Sequence, residues 1–133
     1  MKRDMVAGLI IRDRRLLLVH NTKHDDLRIE PPGGKKNDNE DWEGAVIREI
    51  QEEIGVKVMP TELFGVHDTH SPEGEFSVHM YFCDMVGGEP GVIEGDKISG
   101  LEWYSFSELM KLKESGSLVP NMCDALPKLK QYL

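Results

Sequence analysis

Three acidic side chains, Glu49, Glu52 and Glu53, are spaced so that they share one face of a helix. Each residue turns by about 100° along an α-helix, so positions i, i+3 and i+4 lie side by side. Carboxylates held together repel one another, and a divalent cation relieves that repulsion. Ligand sets made only of oxygen select Mg²⁺, Mn²⁺ or Ca²⁺ over zinc or copper, and Mg²⁺ is often also coordinated by substrate phosphates. The spacing therefore indicates metal-dependent phosphate chemistry; a solvated acidic helix face is the alternative.

The residues around these acids predict a helix with defined ends. Its apolar stripe has the spacing i, i+4 and i+8 and consists of Val46, Ile50 and Ile54. We expect Asp38 or Asn39 to cap the start, and Gly55 to end the helix in the left-handed conformation. Arg48 precedes Glu52 by four residues, so we expect it to hold a carboxylate in place; a contact with the substrate is the alternative.

The segment before the helix, Pro31 to Gly34, cannot itself be helical. Its paired glycines permit a tight turn that points main-chain carbonyl or N–H groups at a ligand. The sequence therefore predicts a loop-helix-loop unit in which a glycine turn lies beside the acidic helix.

This unit resembles the Nudix box, whose pattern is G-x5-E-x7-R-E-U-x-E-E-x-G-U with U a bulky aliphatic residue. Every specified position is filled, by Gly34, Glu40, Arg48, Glu49, Ile50, Glu52, Glu53, Gly55 and Val56. The resemblance implies an α/β fold, the Nudix α/β/α sandwich with a mixed central β-sheet, as one domain over residues 1–133. It also implies Mg²⁺-dependent hydrolysis of a nucleoside diphosphate linked to another group X, with Mn²⁺ as an alternative cation.

The resemblance also suggests roles for individual residues in metal binding and catalysis. Glu52 and Glu53 are the first expected metal ligands, and Glu49 is either a third ligand or the base that takes a proton from water. Gly33 is expected to add its carbonyl oxygen. Many relatives recruit a further carboxylate from a later loop, for which Glu94 is the candidate and Asp96 its competitor.

Substrate contacts are predicted for Gly34, Lys35, Arg28 and Asn121. In the family, the glycine loop lies beside the phosphates, which Lys35 could contact; a solvated loop lysine is the alternative. Arg28 and Glu30 alternate on one face of the preceding extended segment and could line a pocket. Asn121 follows Pro120 late in the chain, where MutT-like members place an asparagine near the base.

The substrate clues conflict. Pro32 to Lys35 and the Pro120-Asn121 pair resemble the MutT-like nucleoside triphosphate pyrophosphohydrolases. Pro72, however, follows Val56 by sixteen residues, a spacing associated with ADP-ribose pyrophosphatases of the family. We favour (d)NTP hydrolysis to (d)NMP and pyrophosphate, and keep hydrolysis of ADP-ribose, or of another nucleotide sugar or a dinucleotide, as the alternative. A Nudix-fold module that binds a nucleotide without hydrolysing it is a third hypothesis, which the intact set of acids disfavours.

The composition limits the kinds of molecule that the protein is expected to bind. The formal charge is −8 and the chain contains no extended Lys/Arg block, so we expect a small nucleotide rather than a nucleic-acid polymer. Cys83 and Cys123 are the two cysteines, which suits a reducing cytoplasm. The apolar run Met5–Ile11 is too short to span a membrane, so no membrane association is expected. Homodimers are common among Nudix proteins, and a homodimer is the assembly we consider.

Apolar runs and turn residues predict the remaining elements. We expect Met5–Ile11 to pair with Leu16–His20, Glu62–His70 and Glu75–Val86 to be joined by a turn at Ser71–Gly74, and Leu101–Tyr104 to be the last strand. Ser107 is expected to cap a short helix that ends at Lys113, and a closing helix from Asn121 should be interrupted at Pro127.

Overall fold

A computed structural model of the protein describes residues 2–93 and 95–133. The strands are β1 Arg3–Leu9, β2 Ile11–Arg12, β3 Arg15–Asn21, β4 Arg28–Glu30, β5 Gly33–Lys35, β6 Lys57–Ser71, β7 Gly74–Gly87 and β8 Ile98–Tyr104. The helices are α1 Trp42–Ile54, α2 Phe106–Ser115 and α3 Pro120–Leu129, followed by a 3₁₀ turn at Lys130–Tyr132. Within the described residues, no helix has the length and apolar character needed to cross a bilayer.

The strands form two sheets. The first has the order β5-β1-β7-β6, in which β1 and β7 run parallel and the other two pairs are antiparallel. In the second, β3 pairs antiparallel with β2, β4 and β8. The expected mixed sheet is therefore confirmed.

The predicted pairing of Met5–Ile11 with Leu16–His20 is wrong, because β1 belongs to the first sheet and β3 to the second. Only the short β2 pairs with β3 along this part of the chain. Asp13 and Arg14 both adopt positive φ angles, 52° and 61°, and form a two-residue turn that closes this small hairpin. The apolar runs alone could not show that the chain changes sheets between them.

Helices cover both faces of the sheets, as expected for an α/β/α sandwich. Leu17 and Val19 of β3 face a cluster that includes Val46 and Ile50 of α1. Leu16 and Leu18 face the opposite way, into a cluster with residues of α2 and α3. Because a strand alternates its side chains between faces, burial of both sets makes β3 a nearly continuous apolar run.

The ends of α1 follow local chemistry, although one cap differs from the prediction. Asp41, rather than Asp38 or Asn39, caps the start, and its side chain accepts a hydrogen bond from the Gly44 N–H at 2.7 Å. Gly55 ends the helix with φ 70°, as predicted, and its N–H donates to Gln51 O. The helix therefore begins after the segment that positions Glu40.

The caps of the later helices also differ from the predictions. Ser105, not Ser107, caps α2 and forms a reciprocal capping box with Glu108. Pro127 lies inside α3 without interrupting it, since the helix continues to Leu129. A proline removes one helical hydrogen bond, and burial of Met122, Ala125 and Leu126 offsets that loss.

Gly55→Ala should lower the free energy of unfolding by about 1 to 2 kcal/mol, because a side chain disfavours the left-handed conformation that ends α1. Gly91→Ala is the matched control: a Cβ there would contact nothing within 4 Å, and the Gly91 N–H that bonds Ile54 O is retained. Urea denaturation of both variants checks this, and equal losses would contradict it.

Candidate active site

Two of the three predicted acids turn towards the glycine segment. Glu53 is 7% exposed, and its Oε1 accepts a hydrogen bond from the Gly33 N–H at 3.2 Å. Glu49 lies against Gly34, so close that a Cβ on that glycine would be 2.3 Å from Glu49 Oε2. Glu52 is about half exposed and is directed towards Arg48. The structure thus brings Glu49 and Glu53 together and leaves Glu52 nearer to solvent.

Arg48 holds the acids in place. Its guanidinium contacts both carboxylate oxygens of Glu40, and also Glu49 Oε1 at 2.9 Å and Glu52 Oε2 at 3.3 Å. It further donates to the main-chain oxygen of Lys35 at 3.2 Å, which ties α1 to β5. The spacing of Arg48 and Glu52 predicted one of these contacts; the bidentate contact with Glu40 is additional. Arg48 therefore positions carboxylates, as we expected.

The same contacts determine the ionisation of Glu40. Hydrogen bonds from Arg48, and then the main-chain N–H of Asn37 at 2.9 Å, lower the pKa of Glu40 to about 2. The paired carboxylates in turn raise the pKa of Arg48 above its ordinary value. Both partners of the Arg48–Glu40 ion pair are therefore charged across the physiological pH range.

The donors beside the glycine segment suit a hard divalent cation. Within residues 2–93 and 95–133, no three His, Cys, Asp or Glu side chains already converge on one metal position. Two carboxylates, Glu49 and Glu53, nevertheless lie against adjacent main-chain units, and carboxylate and carbonyl oxygens are the ligands that Mg²⁺ and Mn²⁺ prefer. The predicted ligand Glu94 lies outside the described residues, and its competitor Asp96 is exposed.

The paired glycines do not form the tight turn that we predicted. Gly33 and Gly34 are extended in β5, opposite Ala7 and Val6 of β1, and neither has a positive φ angle. They are required for close approach instead: a Cβ on Gly33 would lie 2.1 Å from the Val6 carbonyl oxygen. Glycine therefore lets α1, β5 and β1 approach one another at this point.

A pocket, hereafter the main pocket, opens on the other side of Gly33 and encloses about 620 Å³, counting its open mouth. Its lining comprises Met5, Val6, Ala7, Asn21, His24, Arg28, Glu30, Pro31, Gly33, Lys35, Thr69, Ser71, Glu73, Phe76, Val78 and Asn121. Four of the predicted residues, Gly33, Lys35, Arg28 and Asn121, are among them. Gly34 is not, and neither are the three acids. Gly33 both lines the main pocket and donates its N–H to Glu53 of α1.

Polar groups on the inner part of the pocket are paired or nearly buried. Asn121 is 4% exposed, and its amide nitrogen lies 3.9 Å from Met80 Sδ, a weak acceptor. Glu30 accepts a hydrogen bond from Asn21 at 2.9 Å, and burial raises the pKa of its carboxyl above the ordinary value. Arg28 lies 3.8 Å from Glu30. Arg28 and Glu30 thus line the pocket together, as their alternation suggested.

Glu73 links two lysines and a histidine at the rim. Its carboxylate accepts from Lys35 at 2.8 Å, Lys23 at 3.0 Å and His24 Nε2 at 3.3 Å. Hydrogen bonds from Lys35, then Lys23, lower the pKa of Glu73 to about 2. Sequence reasoning located the turn at Ser71–Gly74 but missed this cluster. No local signal could have found it, because its members come from three separate segments.

The model of the NUDIX domain family matches residues 1–122. The chain belongs to the Nudix family. That match spans the strands, α1, α2 and the start of α3, so the resemblance seen in the Nudix box extends through most of the fold.

The names of the relatives that this chain matches refer to different substrates. The chain is 32% identical to an ADP-ribose pyrophosphatase of Methanocaldococcus jannaschii, over 80% of this chain and 64% of that protein. It is 30% identical to the 8-oxo-dGTP diphosphatase of Escherichia coli, over 79% of this chain and 82% of that protein. The MutT Nudix hydrolase structure from Burkholderia pseudomallei has a TM-score of 0.71 and 29% identity, and the match covers 81% of this chain and 86% of that one.

The first curated relatives are longer than the matched Nudix region. The aligned part of this chain covers only 58% to 64% of the length of three of them. The comparisons therefore establish the family of this chain, and its activity, substrate and partners are proposed below.

Glycine substitutions should separate the two kinds of close approach at Gly33 and Gly34. Gly33→Ala puts a Cβ against main-chain atoms of Val6, which cannot move independently, so the free energy of unfolding should fall by about 1 to 3 kcal/mol or more. Gly34→Ala meets only the end of the Glu49 side chain, which can rotate away at a smaller cost. Denaturant titration of both variants measures the difference; a larger loss for Gly34→Ala would refute it.

Glu40→Gln should remove a stabilising effect that depends on pH. Because the pKa of Glu40 is about 2 in the folded protein and the ordinary value is 4.5, the carboxylate stabilises the fold above pH 4.5 and loses this effect as pH falls towards 2. The variant should therefore be less stable than the wild type at neutral pH, and the difference should shrink in acid.

Glu62→Gln is the matched control for this experiment. Glu62 is exposed on β6 and has no ion pair among the described residues, so its neutralisation changes the charge without affecting Arg48. Thermal unfolding from pH 7 to pH 2 compares the three proteins, and a Glu40→Gln deficit that persists at pH 2 would contradict the assignment.

Proposed function

We propose that this protein hydrolyses a pyrophosphate bond in a nucleoside diphosphate linked to a group X, with a divalent cation as cofactor. The preferred substrate is a nucleoside triphosphate, cleaved to the nucleoside monophosphate and pyrophosphate. The observation that carries the proposal is the position of Gly33, which lines the pocket containing buried Asn121 and also donates to Glu53. A ligand in the main pocket would thus extend past Gly33 towards Glu49 and Glu53.

The nucleoside end is assigned to the inner part of the main pocket. The side chains of Met5, Ala7 and Val78 provide apolar surface, and Asn121 adds a donor and an acceptor on one planar group. Small-molecule sites typically combine an apolar lining with a few polar groups that fix orientation. A heterocyclic base, which is apolar on its faces and polar on its edges, matches this combination.

The phosphate end is assigned to the rim and the glycine segment. Lys35 and Arg28 supply positive charge there, although Lys35 is paired with Glu73 in the free protein. Such partly exposed ion pairs contribute about 1 kcal/mol or less, so a phosphate oxygen can replace the Glu73 carboxylate at little cost. Gly34 contributes indirectly, because it lets the Glu49 carboxylate lie against the main chain next to this segment.

The acids of α1 would coordinate the cation and accept the proton of the attacking water. Glu53 and Glu52 are the proposed ligands, and the carbonyl oxygen of Gly33 is expected to join them. A bound Mg²⁺ or Mn²⁺ would neutralise the phosphate oxygens and make a coordinated water more acidic. Glu49 is either a third ligand or the base whose carboxylate takes the proton of the attacking water. Arg48, at 2.9 Å from Glu49, keeps that carboxylate oriented.

ADP-ribose is the second candidate substrate. Two observations favour it: the spacing of Pro72 from Val56 and the similarity to the Methanocaldococcus enzyme. Pro72, however, does not line the main pocket, whereas Asn121 does. A non-catalytic binding module stays disfavoured because every acid of the Nudix box is present. The net charge of −8 supports a small nucleotide, rather than a polymer, as the ligand.

A substrate panel tests the proposal. Purified protein is assayed with dNTPs, NTPs, oxidised dNTPs, ADP-ribose, NADH and dinucleoside polyphosphates, each with Mg²⁺, with Mn²⁺ and with EDTA. We expect the highest kcat/KM for a triphosphate, with pyrophosphate as product and no turnover in EDTA. A higher kcat/KM for ADP-ribose would replace the first substrate by the second, and no hydrolysis of any compound would favour a binding module.

Glu53→Gln should leave the fold intact and lower kcat by about 10²- to 10⁴-fold, because a ligand or proton acceptor is lost. Glu49→Gln should cause a loss in the same range. Glu43→Gln, which neutralises an exposed acid in the first turn of the same helix, is the control and should keep nearly full activity. Steady-state kinetics on the best substrate measure this, and unchanged kcat in both Glu49→Gln and Glu53→Gln would defeat the assignment.

A further inference from the structure

Thr69 lies near the end of β6, and its side chain lines the main pocket. The residue is only 8% exposed, and among residues 2–93 and 95–133 nothing forms a hydrogen bond with its hydroxyl oxygen Oγ1. Buried polar groups in folded proteins are normally paired, because an unpaired group loses its bonds to water without replacement. The unpaired hydroxyl therefore points to a partner that enters the pocket.

The strand position itself does not require a hydroxyl group. A β-branched side chain suits a strand, and valine would supply the same shape without a polar atom. The other two threonines of the chain both use their hydroxyl groups locally. Thr61 donates to the Phe82 carbonyl at 3.2 Å, and Thr22 donates to the Lys97 carbonyl at 3.5 Å. Thr69 differs from both, because its hydroxyl has no partner among the described residues and the residue lines the main pocket.

One other buried side-chain atom lacks a partner in the described part of the chain, namely His79 Nδ1. Its ring stacks on Trp42 with centroids 3.8 Å apart, and His79 does not line the main pocket. Thr69 is therefore the residue at which an unsatisfied buried group and the main pocket coincide.

The surroundings of Thr69 indicate which part of a ligand it would meet. Thr69 is opposite Phe76 of β7, and the next inward residue on that strand face is Val78; these two side chains are 2% and 3% exposed. Desolvating a phosphate against such an apolar surface is costly, whereas the uncharged faces of a nucleoside pack well there. The phosphates are expected at the glycine segment and the cationic rim, which begins beside this surface, since Lys35 Nζ lies 5.9 Å from the centroid of the Phe76 ring.

We propose that Thr69 is a specificity-determining residue whose hydroxyl group hydrogen-bonds the nucleoside part of the substrate. This inference rests on the proposed function, since it assumes that the main pocket receives a nucleotide. It assigns Thr69 to the nucleoside and not to the phosphates. The free protein carries an unsatisfied hydroxyl, and the bound nucleotide satisfies it.

Thr69→Val and Thr69→Ser form the matched pair for the test. Valine keeps the shape and removes the hydroxyl, whereas serine keeps the hydroxyl. Binding of dAMP, dGMP, dCMP, dTMP and, as a probe without a nucleoside, inorganic pyrophosphate is measured by calorimetry in Mg²⁺ for the wild type and both variants. The melting temperature of each protein without ligand is measured in parallel.

We expect Thr69→Val to weaken binding of the monophosphate that the wild type binds best by about fivefold to tenfold, the effect of one lost neutral hydrogen bond. Its affinity for pyrophosphate should be unchanged, and Thr69→Ser should stay within about threefold of the wild type. Without ligand, Thr69→Val should melt at or above the wild-type temperature, because it no longer buries an unpaired hydroxyl group.

Unchanged monophosphate binding in Thr69→Val would overturn this inference while leaving the proposed function intact. A parallel loss of pyrophosphate binding, or a lower melting temperature for Thr69→Val, would also overturn it, since either result assigns the hydroxyl a phosphate-binding or structural role. If the wild type binds pyrophosphate but none of the four monophosphates, the nucleotide assignment of the pocket fails together with the inference.

Discussion

The close approach of α1 to the extended segment β5 is the constraint on which the rest of the site depends. Gly34 lets the Glu49 carboxylate lie against the main chain of β5, and Gly33 lets β5 itself lie close to Val6 of β1 while its N–H donates to Glu53. Arg48 then fixes the distance from the helix side, through Glu40 and the Lys35 carbonyl. Glycine on one side and arginine on the other thus hold like charges near one another, which would be unfavourable if the carboxylates were left to repel freely.

Strand β5 connects the acidic residues of α1 to the main pocket. β5 is bonded to β1, whose other side pairs with β7, and the inner faces of β1 and β7 form the floor of the main pocket. A ligand on that floor reaches the acids by passing Gly33. The rim adds cations held by Glu73, so positive charge is available near the mouth although the protein as a whole carries a formal charge of −8.

Short-range patterns in the sequence predicted the parts of the site that depend on one helix. The i, i+3, i+4 spacing of the acids, the Arg48–Glu52 contact and the left-handed Gly55 are all properties of a single turn or of successive turns. The family resemblance predicted the layered fold, which the structure and the comparisons confirm. Asn121 was placed in the pocket region by that resemblance, and it does line the pocket.

Features that depend on long-range contacts were not predictable in this way. The sheet change between β1 and β3, the Glu73 cluster and the unpaired hydroxyl of Thr69 arise from segments tens of residues apart. The Asp41 cap of α1 is a local feature that the sequence left ambiguous, because Asp38, Asn39 and Asp41 are all residues that can cap a helix. Glycine at positions 33 and 34 was noticed, but the reason for it is packing rather than the turn conformation that the sequence suggested.

The most direct test of the account is a crystal structure with Mn²⁺ and a non-hydrolysable nucleoside triphosphate analogue, with the metal located by its anomalous scattering. We expect an anomalous peak within coordination distance of the Glu53 carboxylate and of a phosphate oxygen, with the base in the main pocket beside Asn121. A metal bound away from α1, or a nucleotide bound outside the main pocket, would contradict it.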